Sequence, residues 1–156
     1  GIKLKSNNYD LVVMIYTDFG VLTPNEREIL MKMVFRVLKT GGTFIFDVLK
    51  DNELENKTSP KTWEATKFGF WKNSPYIALS ESFLYESNKV ILFQHIIVDS
   101  NENIQTYRFW THFFSRNDIE MILKKQKFAN IRFREDILPQ EDMWSGDNVI
   151  FTMTSK

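Results

Sequence analysis

The chain has 156 residues, with 20 Lys and Arg against 20 Asp and Glu, 43% hydrophobic residues, 15% aromatic residues and no Cys. A polypeptide of this length buries roughly 68–70% of its unfolded surface, so one domain can form a core without a metal or a crosslink. The lack of Cys excludes a disulfide framework, a thiolate metal site and a thiol nucleophile, and it points to a reducing, cytoplasmic setting. Zero formal charge without a basic face argues against nucleic acid and anionic membranes, which leaves a small or neutral partner.

No apolar run approaches the roughly 18 residues that a membrane helix needs, and the start, GIKLKSNNYD, has no signal or transit pattern. Residue 1 is Gly rather than Met, as expected for a piece of a longer polypeptide. The sequon Asn56-Lys57-Thr58 reads as part of a polar loop.

In chain order, Tyr9 to Tyr16 is a nearly continuous apolar, β-branched run, the pattern of a strand buried on both faces of a parallel sheet. Thr23-Pro24-Asn25-Glu26 then supplies an N-cap, a Pro at the first helical position and a Glu at the third. The helix it opens carries Ile29, Leu30, Met33, Val34, Val37 and Leu38 at helical spacing and is expected to stop at Gly41-Gly42. Thr43 to Leu49 is a second buried strand, which completes a βαβ unit.

Asp51 to Lys61 reads as a surface loop. Four aromatic and β-branched segments follow, near 63–71, 76–86, 89–99 and 104–114, and their spacing predicts an antiparallel meander. Ser115, with Asp118 three residues on, caps a helix whose apolar positions are Ile119, Ile122 and Leu123. A last strand pair is expected near 130–137 and 148–155.

This order resembles the back half of a class I S-adenosylmethionine-dependent methyltransferase: an α/β, partial Rossmann-like fold of strands four to seven with an inserted antiparallel meander at 63–114. The aromatic-Asp-Leu-Val opening of the family's fourth strand is matched by Tyr9-Asp10-Leu11-Val12. The Leu-Lys-Pro-Gly-Gly turn before its fifth strand is matched by Leu38-Lys39-Thr40-Gly41-Gly42, with Thr40 in place of Pro. The resemblance implies S-adenosylmethionine as cofactor and a small-molecule methyl acceptor. No G-x-G stretch occurs, so the family's glycine-rich loop and ribose carboxylate have no counterpart here. An intact relative is expected to carry about 80–100 further residues upstream, and this chain alone is expected to be inactive.

Candidate site residues follow from strand ends and alternation. Tyr16, Thr17, Asp18 and Phe19 come after the first strand's carboxyl end, where open α/β sheets bind ligands, and are expected to contact the cofactor; the other reading is a turn into the helix. Asp47 reaches the same edge on the next strand and can orient an amine or a hydroxyl. Arg108, Trp110 and His112 alternate along one strand face; Arg108 suits a carboxylate or phosphate, and His112 suits a proton acceptor. Trp71, with Trp63 and Phe70, can add an aromatic wall. On the alternative reading these aromatics are core and His112 is a satisfied sheet histidine.

With two His and no Cys, no metal site is expected. Ser145-Gly146 lacks the flanks of a hydrolase nucleophile elbow. Two further functions remain open: a non-catalytic small-ligand module, and an interaction protein that dimerises through the uncovered edge of the first strand.

Overall fold

A computed structural model describes residues 4–135, 137–139, 141 and 144–156. In chain order these form β1 (Tyr9–Met14), α1 (Asp18–Val21), α2 (Pro24–Val37), β2 (Leu38–Lys50), β3 (Thr62–Thr66), β4 (Tyr76–Tyr85), β5 (Val90–Asp99), β6 (Ile104–Phe114), α3 (Arg116–Lys125), β7 (Ala129–Arg134) and β8 (Val149–Ser155). The chain divides into two compact units, residues 1–52 with 112–156, and residues 53–111. The expected last strand pair is present as β7 and β8; residue 136, within its first expected range, lies outside the described residues. No helix among the described residues is long and apolar enough to cross a membrane.

The first unit is built on β2. It pairs in parallel with β1 and antiparallel with β8, and β8 pairs antiparallel with β7. At its carboxyl end β2 also pairs in parallel with the last residues of β6, Leu49 opposite Phe113 and Lys50 opposite Phe114. Leu49 faces Val149 of β8 at the same time. A strand has two edges, so the end of β6 occupies the edge that β1 leaves at Met14. This topology brings His112 beside the segment that follows β1.

Both long helices pack on one side of this sheet. Met31 and Val34 of α2 and Ile119 and Leu123 of α3 are buried against Phe44 and Phe46, with Val12 and Met14 packed on them. The opposite side of β1 is uncovered: Leu11, Val13 and Ile15 are 51%, 50% and 52% exposed. The expectation of a strand buried on both faces is therefore corrected. An apolar run reports that both faces can be buried, and here only the Val12/Met14 face has helices on it.

The cap of α2 forms as its sequence requires: the Glu26 carboxylate accepts the Thr23 N–H at 2.8 Å, and Thr23 Oγ1 accepts the Glu26 N–H at 3.4 Å. The far end differs from expectation. The helix stops at Val37 and β2 begins at Leu38, so Gly41 and Gly42 lie inside the strand. Tyr9 pairs with Leu38 but Leu11 pairs with Thr43, so β1 advances two residues while β2 advances five. Gly41, at φ +79°, lets β2 make that bulge. The buried face of α2 also differs: Ile29 and Met33 are exposed, whereas Arg27 and Met31 are buried with Val34 and Val37.

The second unit is the expected meander. β3, β4 and β5 pair antiparallel in sequence order, and β6 continues from β5. The first strand is shorter than anticipated and ends at Thr66, leaving Trp71 outside it. The segment before it is not a purely solvated loop, because Leu54–Lys57 forms a turn of 3-10 helix that buries Lys57.

Candidate functional site

The site assembles within the first unit on the segment that follows β1. Tyr16 and Thr17 adopt positive φ angles of 76° and 56°, a left-handed conformation that costs a non-glycine residue about 1–2 kcal/mol. The turn is held by Asp47, a buried carboxylate on β2 whose Oδ1 accepts the Thr17 N–H at 3.0 Å. Burial pushes the Asp47 carboxyl above its ordinary range, and the Thr17 and Tyr16 N–H groups oppose that rise by stabilising the charged form.

The four residues of the predicted cofactor segment have different fates. The Tyr16 side chain is 85% exposed, and Asp18 is exposed too. Thr17 is buried, with its hydroxyl donating to the Tyr16 carbonyl at 2.7 Å. Phe19 is fully buried, its ring 4.7 Å from Phe46 and 5.8 Å from Phe114. Phe19 thus supports the segment from beneath, which corrects the expectation of a ligand contact from its side chain.

His112 meets the same segment. Its Nδ1 lies 2.9 Å from the Gly20 carbonyl, a group that only accepts. Nδ1 is therefore the protonated nitrogen, and Nε2 keeps a free lone pair. Burial lowers the His112 pKa from 6.5, the Gly20 hydrogen bond opposes this, and the positive charge of Arg27 adds to the lowering. The ring is neutral near pH 7, as a proton acceptor needs.

Arg27 is not evident from the sequence, where its charge reads as part of a solvated helix face. It is only 7% exposed, donates from Nη1 to the Leu22 carbonyl at 2.6 Å, and lies 5.1 Å from the Phe114 ring centre and 5.9 Å from that of Phe19. The usable signal is spacing: residues 27, 31 and 34 share a helical face, and Met31 and Val34 are core.

The remaining predicted residues lie in the second unit and do not form one cluster. Arg108 donates from Nε to Gln94 at 2.7 Å, and Gln94 donates to Glu81 at 3.1 Å. Trp110 shares that face, its ring 5.9 Å from Tyr85. Trp71 is on the opposite face, stacked on Tyr107 at 4.8 Å and 5.0 Å from His95, whose Nδ1 meets Ser80 at 2.8 Å. Among the described residues no cluster of His, Asp or Glu can hold a metal ion.

No family model matches the chain, and no curated protein matches it in sequence. Solved structures do match in fold. An S-adenosylmethionine-dependent methyltransferase from Clostridium acetobutylicum superposes with a TM-score of 0.65 at 14% identity, covering 98% of this chain and 61% of that one. The chain has the Rossmann-like fold of S-adenosylmethionine-dependent methyltransferases. An amino pentose methyltransferase from Micromonospora echinaspora, solved with S-adenosylmethionine bound, matches with a TM-score of 0.62 at 13% identity over 100% of this chain and 61% of its own. A sugar N-methyltransferase from a Streptoalloteichus species matches at 0.63 and 11% identity over 96% of this chain and 57% of its own. The chain thus spans about three fifths of the length of these structures.

Proposed function

We propose that this chain forms the acceptor side of an S-adenosylmethionine-dependent methyltransferase acting on a small molecule. The observation that carries this reading is the convergence of Asp47 on Thr17 and of His112 on Gly20, two hydrogen bonds that fix one segment at the carboxyl end of a parallel strand. The names of two fold relatives, an amino pentose methyltransferase and a sugar N-methyltransferase, support a small polar acceptor.

When bound, the cofactor supplies a sulfonium methyl already activated for transfer. Within this chain the exposed side chains Tyr16 and Asp18 fit the role of holding it, with Thr17 and Phe19 shaping the segment from within. Asp47 is a positioning residue, since its carboxylate is engaged by the Thr17 N–H. His112 Nε2 accepts the proton that the acceptor amine or hydroxyl loses on methylation. In the second unit, Arg108 and Trp110 present one face whose charge and ring suit a polar acceptor, while Trp71, on the other face, stiffens that sheet.

The test is thermal unfolding of the full polypeptide encoded by the gene, with and without S-adenosylhomocysteine. Ligand at a hundredfold excess over its Kd adds about 2.7 kcal/mol, and the absence of any shift overturns the reading. In the same polypeptide, His112→Ala slows methyl transfer about 10²–10⁴-fold and leaves S-adenosylhomocysteine binding intact.

A second reading, a ligand-binding or interaction module without chemistry, is supported by the exposed Trp63, Phe83, Tyr85 and Trp110 on one face of the meander. Ligand binding that is indifferent to S-adenosylhomocysteine favours it.

A further inference from the structure

At the amino end of β2, away from Asp47, a cavity of about 400 Å³ opens among Gly41, Thr43, Asn130, Arg132 and Ser155. Thr43 and Asp47 are four residues apart on one strand, which is about 13 Å, so this cavity is separate from the segment that Asp47 holds. Thr43 faces Ser155 of β8, and the neighbouring row of Val13, Ile45 and Met153 ends at Arg132 of β7.

Two bulges shape the cavity. One is the β2 bulge at Gly41, where nothing lies within 4 Å of a Cβ position, so the backbone is open on that side. The other is in β7, which advances three residues from Ala129 to Arg132 while β8 advances two from Ser155 to Met153. Asn130 takes up the extra residue at φ +53°, and bulges re-aim side chains in this way. Ile131 and Phe133 pack on the core, so Arg132 between them projects to the other side of the sheet.

The polar groups of the cavity are only partly used. Asn130 Nδ2 donates to Ser155 Oγ at 2.9 Å, which leaves Asn130 Oδ1 without a donor. Thr43 Oγ1 and the Arg132 guanidinium have no hydrogen-bond or ion-pair partner among the described residues. Lys156, whose backbone pairs with Gly41 and Gly42, spends its ammonium on Asn7 and the Leu38 carbonyl. Arg132 is the one charged side chain that lines the cavity among the described residues.

We propose that this cavity is a second binding site, which takes a small carboxylate bearing an adjacent hydroxyl. The planar guanidinium fork matches the two oxygens of a carboxylate in shape. One guanidinium cancels one charge, so a monoanion fits and a dianion leaves a charge uncompensated. The Thr43 hydroxyl adds a donor, whereas Asn130 Oδ1 can only accept and therefore calls for a donor on the ligand. A hydroxyl supplies that donor without placing a second positive charge beside Arg132. The site stands on this chain's own residues and is independent of methyl transfer.

The test is an NMR titration of the chain with glycolate, acetate and sulfate at fixed ionic strength and about pH 7, following the backbone amides of Asn130 and Arg132 and the Asn130 side-chain amide. Glycolate is expected to shift them along one saturable curve, while the amide of Arg134, exposed on the same strand and outside the cavity, does not follow it. Acetate lacks the hydroxyl and is expected to bind about tenfold more weakly, and sulfate no better than acetate. Arg132→Gln changes an exposed side chain that has no partner, and is expected to weaken glycolate at least about tenfold. Asn130→Gly suits the positive φ and removes Oδ1, so it is expected to bind glycolate and acetate alike. The absence of a saturable shift overturns the proposal, as does an Arg132→Gln chain that keeps its affinity or an Arg134 amide that follows the same curve. Wild-type binding of acetate or sulfate as tight as that of glycolate overturns the hydroxy carboxylate assignment, as does an Asn130→Gly chain that still prefers glycolate.

Discussion

The carboxylate of Asp47 on β2 accepts the backbone N–H of Thr17 at 3.0 Å and so holds the turn out of β1 from thirty residues further along the chain. With the Gly20 N–H bond to the Thr17 carbonyl and the His112 contact to Gly20, that acceptor restrains a segment that has two adjacent residues at positive φ. Asp47→Ala leaves a buried N–H unsatisfied and is expected to cost about 1–3 kcal/mol, measured by denaturant unfolding. Asp47→Asn keeps one acceptor oxygen and loses less.

The same carboxyl sets a pH signature. Its folded pKa is raised, so the folded state binds a proton more tightly than the unfolded chain does. That contribution to stability is fully present below the ordinary value of about 3.9 and is lost as pH rises through the folded value. Asp47→Asn removes it, and the stability difference between wild type and Asp47→Asn is expected to shift in favour of the variant as pH rises over that window. Parallel stability curves for the two proteins would refute the assignment.

Two threonines of β8 make a matched pair. Thr152 Oγ1 is fully buried with no partner among the described residues, whereas Thr154 Oγ1, also buried, donates to the Ala129 carbonyl at 2.7 Å. Thr152→Val removes an unpaired hydroxyl and is expected to stabilise by about 1 kcal/mol, whereas Thr154→Val is expected to cost about 0.5–1.5 kcal/mol. Opposite signs in the two unfolding midpoints are the checkable outcome; a loss at both positions would mean that the Thr152 hydroxyl has a partner in solution.

Adjacent glycines in the β2 bulge separate two reasons for needing glycine. Gly41 has φ +79°, and nothing lies within 4 Å of where a Cβ would stand. The cost of Gly41→Ala is therefore conformational, about 1–2 kcal/mol, and Asn, which tolerates that region, is the milder replacement. At Gly42 a Cβ would meet the Lys39 carbonyl at 2.9 Å and the Tyr9 carbonyl at 3.0 Å. Gly42→Ala must therefore displace backbone, at about 1–3 kcal/mol, and Asn gives no relief. Hydrogen exchange in β1 is expected to speed up in Gly42→Ala and not in Gly41→Asn.

Local rules are legible wherever the deciding partner lies within a few residues. The Thr23/Glu26 and Ser115/Asp118 capping boxes are contacts three residues apart, and both form as their sequences require. Gly41-Gly42 is ambiguous because a helix C-cap and a bulge ask for the same left-handed residue, and only the pairing of Tyr9 with Leu38 distinguishes them. The elements that carry the candidate residues are legible: Tyr16 to Phe19 follow β1, Asp47 lies on β2 and His112 alternates along β6. Which of these side chains faces solvent and which is core is not, because it depends on contacts 30 and 92 residues apart. Arg27 escapes notice because hydropathy assigns charge to the outside, and nothing local announces that Phe19 and Phe114 will flank it.

The bare side of β1 carries the last expectation. Val13 is paired with Ile45, and Ile45 with Met153, so one row of apolar side chains crosses three strands on the face that carries Leu11. Val13 is 50% exposed, and among the described residues β1 pairs with β2 alone, so an apolar face and an unpaired strand edge coincide. Such an edge templates association unless something blunts it. Concentration-dependent association in sedimentation velocity is therefore expected of this chain, and Val13→Lys is expected to suppress it. Because the Val13 side chain points away from the core, the same substitution should change stability by only about 0.5 kcal/mol. A wild-type chain that stays monomeric at high concentration would show that this face is already protected, and a large stability loss in Val13→Lys would show that something packs on it.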